Sequence, residues 1–109
     1  MASEVFAVSL TAGVTNSESV VLNGVNGHTY VITSVVVCET AGAAETFDMY
    51  IDDGGGGTDY EVLSEQALGA NETFVFNDRI VLVDEDHLCI ATASAANVDV
   101  VVSYLDQTR

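Results

Sequence analysis

Residues 30–53 have the sequence YVITSVVVCETAGAAETFDMYIDD and predict two β-strands joined by a short loop at residues 40–44. Valine and isoleucine fill the first strand, and their branched side chains suit a pleated surface. The second strand alternates, because Phe47, Met49 and Ile51 fall on one face while two aspartates and a tyrosine fall on the other. We interpret this stretch as a β-hairpin to which the rest of the chain adds further strands.

Short apolar runs separated by turn residues continue on both sides of this hairpin. The dipeptides Asn23-Gly24 and Asn26-Gly27 predict a tight reversal before Tyr30, because asparagine and glycine adopt positive φ at little cost. Helical spacing is absent from the sequence, apart from room for one helical turn at residues 65–68. The pattern predicts an all-β fold in which residues 1–109 form a single antiparallel β-sandwich domain of about eight strands, with a jelly-roll-like arrangement.

Acidic residues dominate the charge of the chain. It contains 17 acidic and 2 basic residues, which give a formal net charge of −15 at pH 7. Such a surface repels phosphate backbones and anionic lipids, so we predict no direct contact with nucleic acid and none with a membrane. The acidity has two explanations, namely solubility or adaptation to salt, and a basic surface on a partner protein.

Three runs place branched apolar residues on both faces of a strand, at residues 35–37, 80–83 and 100–102. An antiparallel sandwich strand usually has one buried face and one solvated face. We therefore expect neighbouring subunits to cover some outward faces, although single exposed valines are also common on protein surfaces. The interface candidates are Val35, Val37, Val81, Val83 and Val101.

Two acidic loops are candidates for calcium binding, because carboxylate oxygens are the ligands that calcium prefers. The first loop does not have EF-hand spacing, and a solvated hairpin tip is its favoured explanation. An acidic turn that leads into the next strand explains the second equally well. No cofactor is predicted. The calcium candidates are Asp52, Asp53 and Asp59 beside a run of four glycines, and Asp84 and Asp86 in a second turn.

No local signature of catalysis is present in the sequence, so we predict that the protein is not an enzyme and name no catalytic residue. Cys38 and Cys89 both fall in strand-like runs. They are interpreted as free buried thiols, with a disulfide between the two sheets as the alternative.

The chain resembles small β-sandwich proteins found in the virions of tailed bacteriophages. The similar segments are VITSVVVCET at residues 31–40, FDMYID at 47–52, LGANET at 68–73, IVL at 80–82 and ASAANVDV at 93–100. Such proteins often carry Leu-x-x-Gly-Asp before the penultimate strand, whereas this chain has LVDED at residues 82–86, without the glycine.

This resemblance implies a structural role in a virion, as a capsid decoration or cement protein that binds the head shell as an oligomer. The expected partners are further copies of the chain and other virion proteins such as the major capsid protein. Residues 1–6 do not predict a secretory signal, so synthesis in the host cytoplasm is expected. The alternatives are a neck or tail protein of the virion and, in another class, a calcium- or glycan-binding β-sandwich module.

Overall fold

A computed structural model describes residues 3–54 and 58–109. The described residues form nine β-strands and contain no helix. The prediction of an antiparallel β-sandwich is confirmed, with one strand more than expected. The strands are β1 (Ser3–Val14), β2 (Ser19–Asn23), β3 (His28–Glu39), β4 (Glu45–Asp52), β5 (Asp59–Leu68), β6 (Thr73–Phe76), β7 (Ile80–Val83), β8 (His87–Thr92) and β9 (Val98–Thr108).

Two sheets pack face to face. The five-stranded sheet has the order β1-β9-β3-β6, and β7 pairs with β3 beside β6. The four-stranded sheet has the order β2-β8-β4-β5, and every pairing in both sheets is antiparallel. Strand β3 is long enough to pair with β7 over its first half and β6 over its second, so it organises one whole sheet.

The two strands predicted at residues 30–53 are present, but they do not pair with each other. Strand β3 belongs to the five-stranded sheet and β4 to the four-stranded sheet. The loop at residues 40–44 therefore crosses between the sheets, and the predicted hairpin is wrong. A short loop permits either geometry, and the sequence pattern of the strands does not distinguish them.

The possible helical turn at residues 65–68 is also absent. These residues continue β5, which bends at Glu65, where φ is 50°. The ladder between β4 and β5 shifts register on both sides of Met49, so β5 carries an irregularity that bends the strand while keeping it extended.

The core lies between the sheets and is built mainly from aliphatic side chains. Phe47 and Met49 are buried as predicted, and Phe47 packs edge-on against Phe74 with ring centroids 5.8 Å apart. The opposite sheet contributes Ile32 and Leu82, which are fully buried. The described residues therefore form a core between the two sheets. The exposed apolar side chains on the outer surfaces are not part of this core and need a separate explanation.

Strand β1 turns its larger apolar side chains away from this core. Phe6 is 83% exposed and Leu10 is 72% exposed, with Val8 exposed between them. On the inward side, Ala7 and Ser9 are small, and the Ser9 hydroxyl donates a hydrogen bond of 2.6 Å to the Val21 carbonyl on β2. Val5, nearer the start of the strand on that side, is 59% exposed. Small side chains allow β1 to approach the edge of the other sheet closely, which sends Phe6, Val8 and Leu10 outward.

Candidate interaction faces

The outer surface of the five-stranded sheet is apolar across its whole width. Residues directly opposite each other in antiparallel strands share a face, so the register defines rows of neighbouring side chains. Two apolar rows lie on either side of a central row, which consists of Val8, Ser103 and Ser34. We call this surface the apolar face; its two apolar rows are Phe6, Leu105, Val31 and Val81, and Leu10, Val101, Val36 and Val75.

Three of the five predicted interface residues lie on this face. Val81 and Val83 are 54% and 40% exposed, and Val101 is half-buried among its neighbours. Val35 and Val37 are buried in the core, so their prediction as interface residues is wrong. Residues 35–37 are all valine, so the sequence does not show which of them lie on the outer side of the strand.

A shallow cavity lies at one end of the apolar face. It has a volume of about 270 Å³ and lies beside Leu10 and Val101. Close by, the Gly13 N–H donates a hydrogen bond of 3.2 Å to the Asp99 carboxylate, where the register between β1 and β9 shifts. The cavity is lined by Leu10, Thr11, Ala12, Asp99, Val100 and Val101.

The outer surface of the four-stranded sheet has the opposite character. Tyr50 and Cys89 are buried at its centre, and the Tyr50 hydroxyl donates a hydrogen bond of 2.5 Å to the Glu18 carboxylate. Burial, followed by this bond to Glu18, raises the pKa of Tyr50 well above its ordinary value. We call this surface the acidic face; its acidic residues are Glu18, Asp48, Asp52, Asp59 and Glu61.

Crowding of carboxylates on the acidic face affects their ionisation. Desolvation and then the charge of Asp52 raise the pKa of Asp59. Desolvation and then the charge of Asp48 raise the pKa of Glu61. Ionisation of these two carboxyl groups is therefore less favourable in the folded chain than in the unfolded chain, and their contribution to stability falls as the pH rises through their folded-state pKa values.

Glu39, an acid outside this face, has a lowered pKa. Glu39 ends β3 and is 1% exposed, and its carboxylate accepts hydrogen bonds from four backbone N–H groups at 2.8–3.2 Å. The bond from Asn71 is the largest cause of a lowered Glu39 pKa, to which the three loop donors add. Glu39 thereby fixes the crossing between the sheets. The four donors are Ala41, Gly42, Ala43 and Asn71.

The structure uses the second pair of calcium candidates as turn residues. Asp84 accepts a hydrogen bond from the Gly27 N–H and pairs with Arg109, while Asp86 accepts from the Val83 N–H. The turn also approaches Gly24 so closely that an added Cβ would lie 2.0 Å from the Asp86 carbonyl oxygen. These carboxylates are therefore committed to internal contacts.

The first set of calcium candidates lies where β4 and β5 meet. Asp52 and Asp59 are directly opposite each other, and Asp53 follows the end of β4. Residues 55–57 of the glycine run lie outside the described residues. In the described ranges, no group of three or more His, Cys, Asp or Glu side chains is arranged to hold a metal ion.

The two cysteines are free thiols on opposite sides of the molecule. Cys38 is half-buried and faces outward beside Asp99 and Thr73 on the five-stranded sheet. Cys89 is fully buried beneath the acidic face, where desolvation followed by the charge of Glu18 raises its pKa to about 12. The alternative of a disulfide between the sheets is therefore wrong.

Comparisons with solved structures identify related folds. A chain in the acidic stable capsid of Helicobacter pylori bacteriophage KHP30 matches with a TM-score of 0.55 at 11% identity, over 100% of this chain and 99% of that chain. A chain of the disulfide-linked pili of Bacillus endospore appendages matches with a TM-score of 0.51 at 13% identity, over 98% and 88%.

A chain of the T13 IBDV viral particle has a TM-score of 0.52 at 12% identity, and this chain corresponds to 35% of its length. No family model matches the sequence, and no curated protein matches it. At these identities the structural likenesses establish the fold alone. A search of the described residues for helices long and apolar enough to cross a membrane finds none.

Proposed function

We propose that this chain is a non-enzymatic structural protein of a phage virion, and that it decorates the head shell as an oligomer. The observation that carries the proposal is the apolar face, whose two apolar rows contain no charged residue on a chain of net charge −15. Exposed apolar surface of this extent usually marks a protein–protein contact.

The dimensions of the apolar face match those of a stable interface. Strand β1 has 12 residues, which extend about 40 Å, and four strand positions span about 19 Å. The whole outer surface of the sheet therefore covers on the order of 750 Å², close to the roughly 800 Å² that each partner contributes to a standard interface. The two apolar rows, at Phe6 and Leu10 along β1, occupy its central part, and polar residues occupy its two ends.

The distribution of charge supports attachment in one orientation. The apolar face docks on the shell, and the acidic face is directed toward solvent, where its carboxylates remain hydrated. A flat, preformed β-surface also binds without ordering a disordered segment, which lowers the entropic cost of docking. The likeness to a chain of a phage capsid over the full length of both chains agrees with this role.

Sedimentation of the purified chain with undecorated capsids tests the proposal. We expect the wild-type chain to pellet with intact capsids and Val75→Asp to bind at least tenfold more weakly, because a buried carboxylate without a partner is costly. Val20→Asp is the matched control, since Val20 is 44% exposed on the other sheet whereas Val75 is 53% exposed on the apolar face.

Absence of the wild-type chain from the capsid pellet would contradict decoration. Equal binding of the two variants would contradict docking through the apolar face. Rings of the chain in negative stain that attach to portal or tail assemblies, with no binding to the shell, would favour a neck or tail protein.

A further inference from the structure

The edges of the two sheets differ in how they are protected against pairing with another chain. Strands β6 and β7 have four residues each and β2 has five, so these edges are short. Strand β5 is longer, but it carries three acids and bends at Glu65. Short length, charge and irregularity are the devices by which proteins prevent edge-to-edge association.

Strand β1 lacks these protections over most of its length, since its one irregularity lies at the end of the strand, between Thr11 and Val14. It is the longest edge strand in the described residues, with 12 residues, no proline and Glu4 as its single charged residue. Its backbone pairs with β9 on one side, and the N–H and C=O groups directed to the other side meet no strand of the same sheet. This edge can therefore accept a further strand.

We propose that β1 pairs antiparallel with β1 of a second copy of this chain, about a two-fold axis at Val8. The two five-stranded sheets then form one continuous sheet across the dimer, with both apolar faces on the same side. This inference rests on the oligomer proposed above and gives that oligomer a specific contact.

The sequence of β1 selects this register. With Val8 opposite its own copy, Phe6 of each chain lies opposite Leu10 of the other, and Glu4 lies opposite Ala12. Phe6 also comes beside the cavity next to Leu10 and Val101 in the second copy. A shift of the axis to Ala7 would place Glu4 opposite Leu10, and a shift to Ser9 would place Phe6 opposite Ala12.

The self-complementary register favours a second copy as the occupant, and charge explains why the contact is made here. Two chains of net charge −15 repel each other over most of their surfaces. The β1 edge and the adjoining apolar face are nearly uncharged, so they can meet without placing like charges directly opposite each other. Screening of the remaining repulsion by salt should strengthen the dimer.

Cysteine cross-linking tests the pairing. In a Cys38→Ala background, we expect Val8→Cys to form a disulfide-linked dimer under mild oxidation. Directly opposed residues in an antiparallel pair have Cα atoms about 4.5–5.5 Å apart, which a disulfide can span. Val75→Cys is the control, because Val75 is similarly exposed on the same face but lies on β6, away from the β1 edge.

Sedimentation velocity over a concentration series provides the second measurement. We expect the unmodified chain to reach twice the monomer mass and Phe6→Asp to raise the dimer dissociation constant at least tenfold. Val75→Asp should leave the dissociation constant unchanged. Addition of salt should lower the dissociation constant of the unmodified chain.

Cross-linking of Val8→Cys no faster than Val75→Cys would overturn the inference, and so would a monomer at all concentrations. Faster cross-linking of Val75→Cys would show that two apolar faces pack on each other instead. These results are independent of capsid binding, since a chain that pairs through β1 but does not pellet with capsids would contradict the proposed decoration role alone.

Discussion

The outer faces of the two sheets are built on the same β-alternation and differ in what occupies the outward positions. On the five-stranded sheet these positions hold valine, leucine and phenylalanine in rows that run across the sheet. On the four-stranded sheet they hold carboxylates around buried Tyr50 and Cys89. The domain therefore has one face suited to contact and one suited to water.

This difference separates two tasks that usually share one surface. The acidic face supplies net charge, which keeps molecules apart in solution. The apolar face supplies the area that a partner can bury. Because each lies on its own sheet, the sequence of one face can change with little effect on the packing of the other, and substitutions can test them one at a time.

The largest effect is expected when the two faces are made alike. Asp59→Val combined with Glu61→Val would replace two of the five carboxylates of the acidic face by apolar groups, and we expect the soluble concentration to fall several-fold. Val75→Asp combined with Val81→Asp is the reciprocal variant and should remain as soluble as the wild type. Measurement of the soluble fraction after concentration checks this, and equal solubility of the two double variants would contradict it.

A smaller effect is expected at Glu39, the buried acid that belongs to neither face. Its pKa is lowered in the folded chain, so its contribution to stability is present above its ordinary range near 4.5 and is lost as the pH falls through the folded-state pKa. Glu39→Gln should lower the Tm by about 10 °C at pH 7, because a network of four backbone donors loses its charged acceptor.

Thermal unfolding followed by circular dichroism at several pH values measures this difference. It should shrink as the pH is lowered, since the wild-type carboxylate then also becomes protonated. Glu85→Gln serves as the control, because Glu85 is an exposed acid in a turn. A Tm difference that is the same at pH 3 and pH 7 would show that Glu39 acts through its shape alone.

The smallest effect is expected on the acidic face, and it has the opposite sign. The pKa of Glu61 is raised in the folded chain, so its ionisation weakens the fold as the pH rises through the folded-state value. Glu61→Gln should raise the Tm by about 2 °C at neutral pH and low salt. The gain should diminish in high salt or at low pH, and a loss of stability would mean that Glu61 makes a favourable contact.

Much of the fold could be predicted from the sequence, because apolar runs and turn residues mark the strands. The reversal at residues 26–27 is present, with Gly27 at φ 90°, and the acidic turn contains Asp84 at φ 57°. Pairing could not be predicted in the same way. The loop after β3 crosses to the other sheet, and its N–H groups donate hydrogen bonds to the Glu39 carboxylate. A contact of this kind between backbone and side chain leaves no periodic pattern in the sequence.

The outward apolar side chains were predicted only in part. Val81, Val83 and Val101 lie on the apolar face, whereas Val35 and Val37 lie on the opposite side of β3. The alternation in β1 gave no sign of which side faces outward. Its large residues would normally be placed in the core, and their outward position follows from the edge location of the strand.

The central position of β9 has a kinetic consequence. Ser3 pairs with Thr108, so the five-stranded sheet joins segments that are far apart in the chain. Each apolar row contains a residue of β9, either Leu105 or Val101. Sheets that depend on such distant pairings fold slowly, on the order of milliseconds to seconds. Because β9 supplies a residue to each apolar row, the apolar face is complete only after β9 has entered the sheet.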